Sequence, residues 1–545
     1  MRPPGGGQTF ERNLGLAVMG GVLVFTVWPI LAVILESLRA DGAFDPGAYL
    51  SLFTGKKPLI ANTLLTACLT AILSVTMGLA IALFLTRTKN RGRPLVFGAL
   101  LLTMISPPFV TSLAYIMLFG RRGLITSKLL GLSLNPYGWQ GIVLMESAAL
   151  TSLAALIIAG ALRGADRSLE HAAKDLGASD AAVLFQVTIP MALPGIMAAA
   201  MLAFIKSLSD FGTPMIIGGG FSVLASEAYM TAIGTYDLPL ASAMNALLLV
   251  FSVIAFAICR KSLALGLMSR ERGKGGLSFP PPSPAKSVSR VLAAITWFFI
   301  AFQALEYGCI LWGAFCSAWG SDFSFTLAHV RSLDAYKLAS FGRSLLYAVI
   351  AGIVSAALGM ILSYLTARKR VFAPRALDLA ASLPLIIPGV FFGLGYVLAF
   401  NFLPRPLLDS GALIVLNFIF RQLPVGLRAG EAALSSVGEE VERAARDLGA
   451  RQWRVFANIV APLMRPAFLA SFVNAFTAAM TAIGAIIFLV TPGTKLATVE
   501  LFEAIKAGDI GLGAVLANMI VAVTLSVNAL FSLVILRKDR SANHD

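Results

Sequence analysis

Two stretches decide how this chain is read: EHAAKDLGASDAAVLFQVTIP at 170–190 and ERAARDLGARQWRVFANIVAP at 442–462. They align without a gap. At one constant offset Glu170 matches Glu442, Ala172 and Ala173 match Ala444 and Ala445, and Asp175 matches Asp447. The same offset carries Gly177 onto Gly449, Pro190 onto Pro462 and Pro194 onto Pro466. Each stretch is polar and helix-forming, yet each stands between strongly apolar segments.

The surroundings set the class. Of 545 residues, 57% are apolar and 13% charged, with mean hydropathy +0.82. A soluble domain carries about 25% charge, so this chain cannot cover a water-facing surface. Apolar runs long enough to cross about 30 Å of hydrocarbon recur along it. A transmembrane β-barrel would show short alternating segments instead. The composition predicts an all-α polytopic membrane protein. The net charge of +15 would suggest nucleic acid in a soluble protein. Here Lys and Arg cluster in loops, as cytosolic positions favour, and no nucleic-acid partner is expected. Cys68, Cys259, Cys309 and Cys316 show neither CxxC nor CxxH spacing, so neither a metal site nor a disulfide framework is expected.

Twelve spans are predicted. The first six lie at about 14–37, 60–86, 96–120, 141–163, 190–216 and 239–260. The second six lie at about 291–317, 342–367, 376–400, 411–428, 463–491 and 511–536. The first span is too long for a signal-peptide core and is kept as a membrane helix. Residues 1–260 and 291–545 form two halves, joined by a basic, Pro-rich cytosolic linker at 261–290. A second repeat supports the division: TLLTACLTAILSVTMGLAIALFLTR at 63–87 resembles SLLYAVIAGIVSAALGMILSYLTAR at 344–368, and Tyr115 and Tyr396 keep that offset. Six is even, so tandem halves share one orientation about an axis along the membrane normal. The basic groups Arg87, Lys89, Arg91 and Arg93, then Arg163, Arg167 and Lys174, then Arg368, Lys369, Arg370 and Arg375, and finally Arg537, Lys538 and Arg540 all fall on one side if both termini are cytosolic. The loop with Arg121, Arg122 and Lys128 goes against this rule.

The repeated stretch predicts a helix, a corner and a second helix. Glu170 to Leu176 are good helix formers, and Gly177 suits the left-handed geometry that closes a helix. Pro190 needs no N–H at the start of the next helix. Such a unit acts as a stiff lever at the mouth of the fifth span of each half. An amphipathic helix lying on lipid is the alternative.

This motif resembles the "EAA" loop of binding-protein-dependent ABC importer permeases: Glu, Ala-Ala, a Gly, and then a Pro. In many such permeases an acid directly precedes the two alanines. Here those places hold His171 and Arg443, with the acids one earlier. SDFGTPMIIGG (209–219), RQLPVGLRAGEAALSSV (421–437) and AMTAIGAIIFLVTPGTKLATV (479–499) are similar to segments of fused, two-copy permeases for ferric iron. The resemblance implies a type I ABC importer permease fold in the bacterial inner membrane, with coupling loops at 164–190 and 436–462. It implies ATPase-docking residues Glu170, Ala172, Ala173, Asp175 and Gly177 in the first half. Glu442, Ala444, Ala445, Asp447 and Gly449 are their counterparts. It further implies two copies of an ABC ATPase subunit and a periplasmic solute-binding protein as partners. The solute that best fits is ferric iron; thiamine, a phosphonate or organophosphate, and a polyamine are alternatives within the same machinery.

No GxxxxGK[ST] occurs, so ATP and Mg are expected on the partner ATPase, with no cofactor in this chain. No nucleophile–base pair or paired catalytic carboxylates stand out, so no enzyme activity is expected here. A secondary carrier, built on broken helices and buried acids, is the runner-up, and a membrane scaffold or receptor component is the non-transport alternative. In the resembling family the fifth and eleventh spans line the pathway, which makes Ser207, Ser209, Asp210, Thr213, Thr477, Met480 and Thr481 pathway candidates. Charges inside membrane helices are costly, so Glu146, Glu306 and the Lys206–Asp210 pair, four residues apart, each invite a role. Pro107, Pro108, Pro384 and Pro388 are expected to break spans three and nine.

Overall fold

The computed structural model describes residues 6–40, 42–132, 135–272, 285–368, 373–435 and 438–542. The first half is built from α1 (Asn13–Glu36), α2 (Lys57–Arg87), α3 (Arg93–Ile105), α4 (Pro108–Phe119), α5 (Trp139–Gly164), α6 (Ser168–Asp175), α7 (Asp180–Leu208), α8 (Gly212–Ile217), α9 (Leu224–Met230) and α10 (Leu238–Arg272). The second half repeats the order as α11 (Lys286–Gly313), α12 (Ala335–Ala367), α13 (Pro374–Leu385), α14 (Gly389–Phe400), α15 (Ala412–Leu434), α16 (Glu439–Asp447), α17 (Phe456–Leu463), α18 (Arg465–Thr481), α19 (Ala497–Lys506) and α20 (Ile510–Ala542). Among the described residues, nine helices are long and apolar enough to cross a membrane, and counting each of three bent pairs as one span gives twelve. A two-stranded hairpin follows the first span of each half, Arg39–Ala40 with Ala43–Phe44 and Cys316–Ala318 with Asp322–Phe325. Neither hairpin was expected from the pattern of residues.

The bends have identifiable causes. The helix before Pro107 and the one after it meet at 106°, and those flanking Pro388 meet at 113°. Proline lacks the N–H needed to continue the helical ladder and clashes with the preceding turn. Two expected ends are corrected. The fifth span stops as helix at Leu208 instead of continuing to 216, because the Asp210 carboxylate accepts the N–H groups of Gly212 at 2.9 Å and Thr213 at 3.2 Å and starts a new helix. The eleventh span stops at Thr481, and 482–490 is a series of turns. Helix occupies both flanks of the expected linker, up to Arg272 and again from Lys286; residues 273–284 of it lie outside the described residues, as do Lys369 and Arg370.

Small residues let the central helices of each half cross closely. A Cβ on Gly78 would meet the Ala154 Cβ at 2.7 Å, and one on Gly359 would meet Gly426 Cα at 2.6 Å. Both crossings join the second span to the fourth, at positions the two repeats relate. Close backbone approach replaces the hydrophobic driving force that lipid cannot supply.

The first spans are exchanged between halves. α1 packs on α14 and α15: Trp28 Nε1 donates to Ala399 O at 3.2 Å, Tyr396 Oη donates to Phe25 O at 2.8 Å, and the Phe25 and Phe420 rings stack at 4.9 Å. α11 packs on α2 and α4: its Tyr307 Oη donates to Ser106 Oγ at 2.7 Å, and beyond its end Trp319 Nε1 donates to Met117 O at 2.8 Å. Each half thus holds the other's leading helix.

Candidate functional site

After its fourth span each half turns an elbow: a short helix, α6 or α16, then a glycine corner, then the helical segment that leads into the fifth span. In the first, Gly177 has φ +85°, the Gly177 N–H donates to Lys174 O at 2.9 Å, and the Ala178 N–H donates to Ala173 O at 3.0 Å. In the second, Gly449 has φ +86°, with Gly449 N–H to Arg446 O at 2.9 Å and Ala450 N–H to Ala445 O at 3.0 Å. This is a Schellman closure, and the left-handed residue favours glycine because it carries no Cβ. Ser179 Oγ then accepts the Ala182 N–H at 3.2 Å and caps the next helix. Ahead of α6, hydrogen bonds from the Ser168 side chain and backbone hold the Asp166 carboxyl below its ordinary range.

The two acids of the motif face inward. Glu170 and Glu442 are 0% and 1% exposed. Arg87, at the end of α2, donates through Nη2 to Glu170 Oε1 at 2.8 Å, and Thr188 Oγ1 donates to the same oxygen at 2.8 Å. Arg368 Nε donates to Glu442 Oε1 at 2.8 Å, and Tyr364 Oη donates to Glu442 Oε2 at 3.2 Å. This corrects the placement of Glu170 and Glu442 on a docking surface: they tie the elbow to the second span. Arg87 and Arg368 are themselves repeat equivalents, a signal that was available in the sequence.

The outward face is apolar. Leu169, Leu176, Val441 and Leu448 are 53%, 89%, 49% and 90% exposed. Ala172 and Ala444 lie exposed between them, while Ala173 and Ala445 are half-buried. Leu169, Ala172 and Leu176 recur at i, i+3 and i+7, one face of a helix, and Val441, Ala444 and Leu448 repeat it. Asp175, Gly177, Asp447 and Gly449 are also exposed. The four large side chains escaped sequence reasoning because helix-forming apolar residues look like packing until their exposure is known.

The pathway candidates divide. Ser207, Thr213 and Met480 are buried. Ser207 Oγ donates to Glu146, which also accepts Thr70 Oγ1 at 3.1 Å; Glu146 thereby joins α2, α5 and α7. Ser209, Asp210, Thr477 and Thr481 are half-buried. Thr477 Oγ1 accepts from Asn528 Nδ2 at 2.8 Å, and Thr481 Oγ1 donates to Thr477 O at 2.9 Å. Asp210 does not pair with Lys206, since Thr213 Oγ1 donates to it at 2.6 Å in addition to the two backbone groups. Lys206 is exposed, and the charge of Arg421 from the other half bears on it. Arg421 lies against the start of α14, where a Cβ on Gly389 would meet its Nη2 at 2.7 Å. Glu306 is 1% exposed, and neither carboxylate oxygen has a partner among the described residues.

Comparison with known proteins places this geometry. The family of binding-protein-dependent transport system inner membrane components matches twice, over residues 74–263 and 348–542. The chain is 27% identical to the ferric transport system permease protein FbpB of Actinobacillus pleuropneumoniae over 543 residues, covering 97% of this chain and 79% of that protein. It is 29% identical to a ferric transport permease, FbpB 1, of Haemophilus influenzae over 493 residues, 87% of this chain and 77% of that one. A 2-aminoethylphosphonate transport permease, PhnU, of Salmonella choleraesuis is 30% identical over 245 residues, 43% of this chain and 85% of that protein. With two matched domains, nine to twelve apolar spans among the described residues and two elbows, the chain belongs to the binding-protein-dependent inner membrane components as a fused, two-copy permease of an ABC importer.

Proposed function

We propose that this permease passes ferric iron, delivered by a binding protein on the outer side, into the cytosol by alternating access, driven by two copies of one ATPase subunit. The paired apolar stripes on the elbows carry this reading. Leu169, Ala172 and Leu176, with Val441, Ala444 and Leu448, leave two equivalent faces uncovered on one side of the membrane. Two equivalent faces call for two equivalent partners. The glycine corner fixes each elbow's angle, so closure of the partners turns into rotation of the helices behind it. In this reading both termini and both elbows are cytosolic. The units are 1–260 and 291–545, and the docking set is Ala172, Ala173, Asp175, Gly177, Ala444, Ala445, Asp447 and Gly449 together with the four large apolar residues.

Iron is favoured by the two FbpB relatives, which resemble nearly the whole chain. Among the described residues no three of His, Cys, Asp and Glu cluster closely enough to hold a metal ion. The cargo in this reading is recognised by the binding protein and only conducted here, past Ser209, Asp210, Thr477 and Thr481. A second reading draws on Lys206 and Arg421, cations of the two halves, the second of which bears electrostatically on the first. They suit an anionic cargo, either an oxyanion or iron in an anionic complex, better than a polyamine or thiamine. The PhnU relative, named for a phosphonate, is in keeping with this.

Proteoliposomes holding the permease, its ATPase and its binding protein test both readings with 55Fe supplied as the citrate complex. ATP-dependent accumulation, with hydrolysis stimulated by the loaded binding protein, is the expected result. Accumulation that ignores ATP and collapses with a protonophore would make the chain a secondary carrier.

A further inference from the structure

The elbow side of the first half contains a cavity of about 470 Å3 that neither the elbow nor the pathway uses. Arg93, Arg163 and Arg167 give it charge; Leu85, Pro94 and Phe97 give it an apolar wall. The three arginines come from three elements: the first turn of α3, the last turn of α5, and the residue that precedes α6. No carboxylate lines the cavity. Arg163 is the charge that bears on Arg93, and Arg93 Nε is buried with no partner among the described residues. Like charges brought this close favour an anion between them. Guanidinium forks match phosphate oxygens in both charge and plane.

The wall continues towards the hydrocarbon. Phe97, Leu101 and Met104 are 39%, 40% and 44% exposed and recur along one face of α3. Charge therefore sits at headgroup depth, with an apolar strip running from it into the membrane. We propose that this cavity binds the phosphate headgroup of an anionic phospholipid, whose acyl chains lie along Phe97, Leu101 and Met104. Basic pockets between membrane helices are suited to such headgroups. The second half has no such cluster: Pro374, Ser435 and Glu439 stand where the repeats place Arg93, Arg163 and Arg167. One lipid per chain follows, bound beside one elbow only. Because Arg167 directly precedes α6, the headgroup braces the first elbow. The lipid site stands without the importer reading, and only its effect on ATP hydrolysis rests on that reading.

Native mass spectrometry of the full chain released from nanodiscs tests it, with phosphatidylglycerol as the probe and phosphatidylcholine as the comparison lipid. The wild type is expected to keep one phosphatidylglycerol through delipidation. Arg93→Gln with Arg163→Gln should lower that retention by about tenfold or more, the loss of charge-assisted bonds to phosphate. Arg93→Lys with Arg163→Lys keeps the charge and should recover much of it, which separates lost binding from lost folding. Arg91→Gln, which removes an exposed charge outside the cavity, should change nothing. Equal retention by the double glutamine variant, an equal loss in Arg91→Gln, or displacement of the lipid by inorganic phosphate would overturn the proposal. In the assembled transporter the wild type should hydrolyse ATP faster with phosphatidylglycerol than without it. A lipid bound as expected but without that difference would sink the bracing role and leave the site.

Discussion

The two elbows share a corner but not an anchorage. The Gly177 and Gly449 turns superpose in dihedral angle and hydrogen bonding. Behind them, Glu170 meets Arg87 at 0% and 3% side-chain exposure, with Thr188 as the third group. Glu442 meets Arg368 at 2% and 11% exposure, shares it with the more exposed Glu439, and takes Tyr364 in place of the threonine. The first elbow is also cross-tied by Lys174 to Asp180 at 2.8 Å; the repeat puts Gln452 where Asp180 stands. Duplication kept what sets the angle and let the anchorage drift. The anchoring ion pair of the first elbow is the more deeply buried of the two.

Four measurements would break or sharpen that contrast. The largest effect is expected from Glu170→Ala, which strands Arg87 in a buried site and should cost about 3–5 kcal/mol in unfolding of the reconstituted permease. Glu442→Ala should cost roughly half as much, since Arg368 keeps Glu439 and some water; equal losses would end the claim of unequal anchorage. Next come Leu176→Asp and Leu448→Asp. Each should weaken ATPase binding by about 2–3 kcal/mol, the value of burying a leucine, while the permease alone stays as stable as the parent. Unchanged co-purification with the ATPase in both would remove the docking face. Gly177→Ala and Gly449→Ala meet no atom within 4 Å, so only the left-handed backbone is penalised, by about 1–2 kcal/mol, and equally in both halves. Uncoupling of ATP hydrolysis from uptake is the activity readout. Lys174→Ala is the smallest: its pair is about a third exposed, so roughly 0.2–1 kcal/mol is expected, with no counterpart loss in Arg446→Ala.

Much of this was legible before any coordinates. Apolar length gave twelve spans, proline gave the breaks at Pro107 and Pro388, and one glycine per repeat gave the corners. What escaped required knowing which segments meet. Arg87 and Glu170 belong to two repeats with different offsets, so neither alignment places them together. Lys206 and Asp210 are spaced to pair on a helix, but the helix ends between them and Asp210 is taken up by backbone N–H groups. Leu176 reads as ordinary helix filler until its surroundings prove empty. The exchange of first spans left no local trace, since a lipid-facing helix and one that grips a distant neighbour have the same composition.

That exchange has a consequence for how the protein is made. Trp28 and its acceptor Ala399 are 371 residues apart in the chain. At about 5–20 residues per second of synthesis, the leading helix waits roughly 20–75 s in the bilayer before its berth exists. Biogenesis must therefore hold an orphaned helix nearby until the ninth and tenth spans are inserted, and a polypeptide severed between its halves would have to recover this handclasp from two separate pieces.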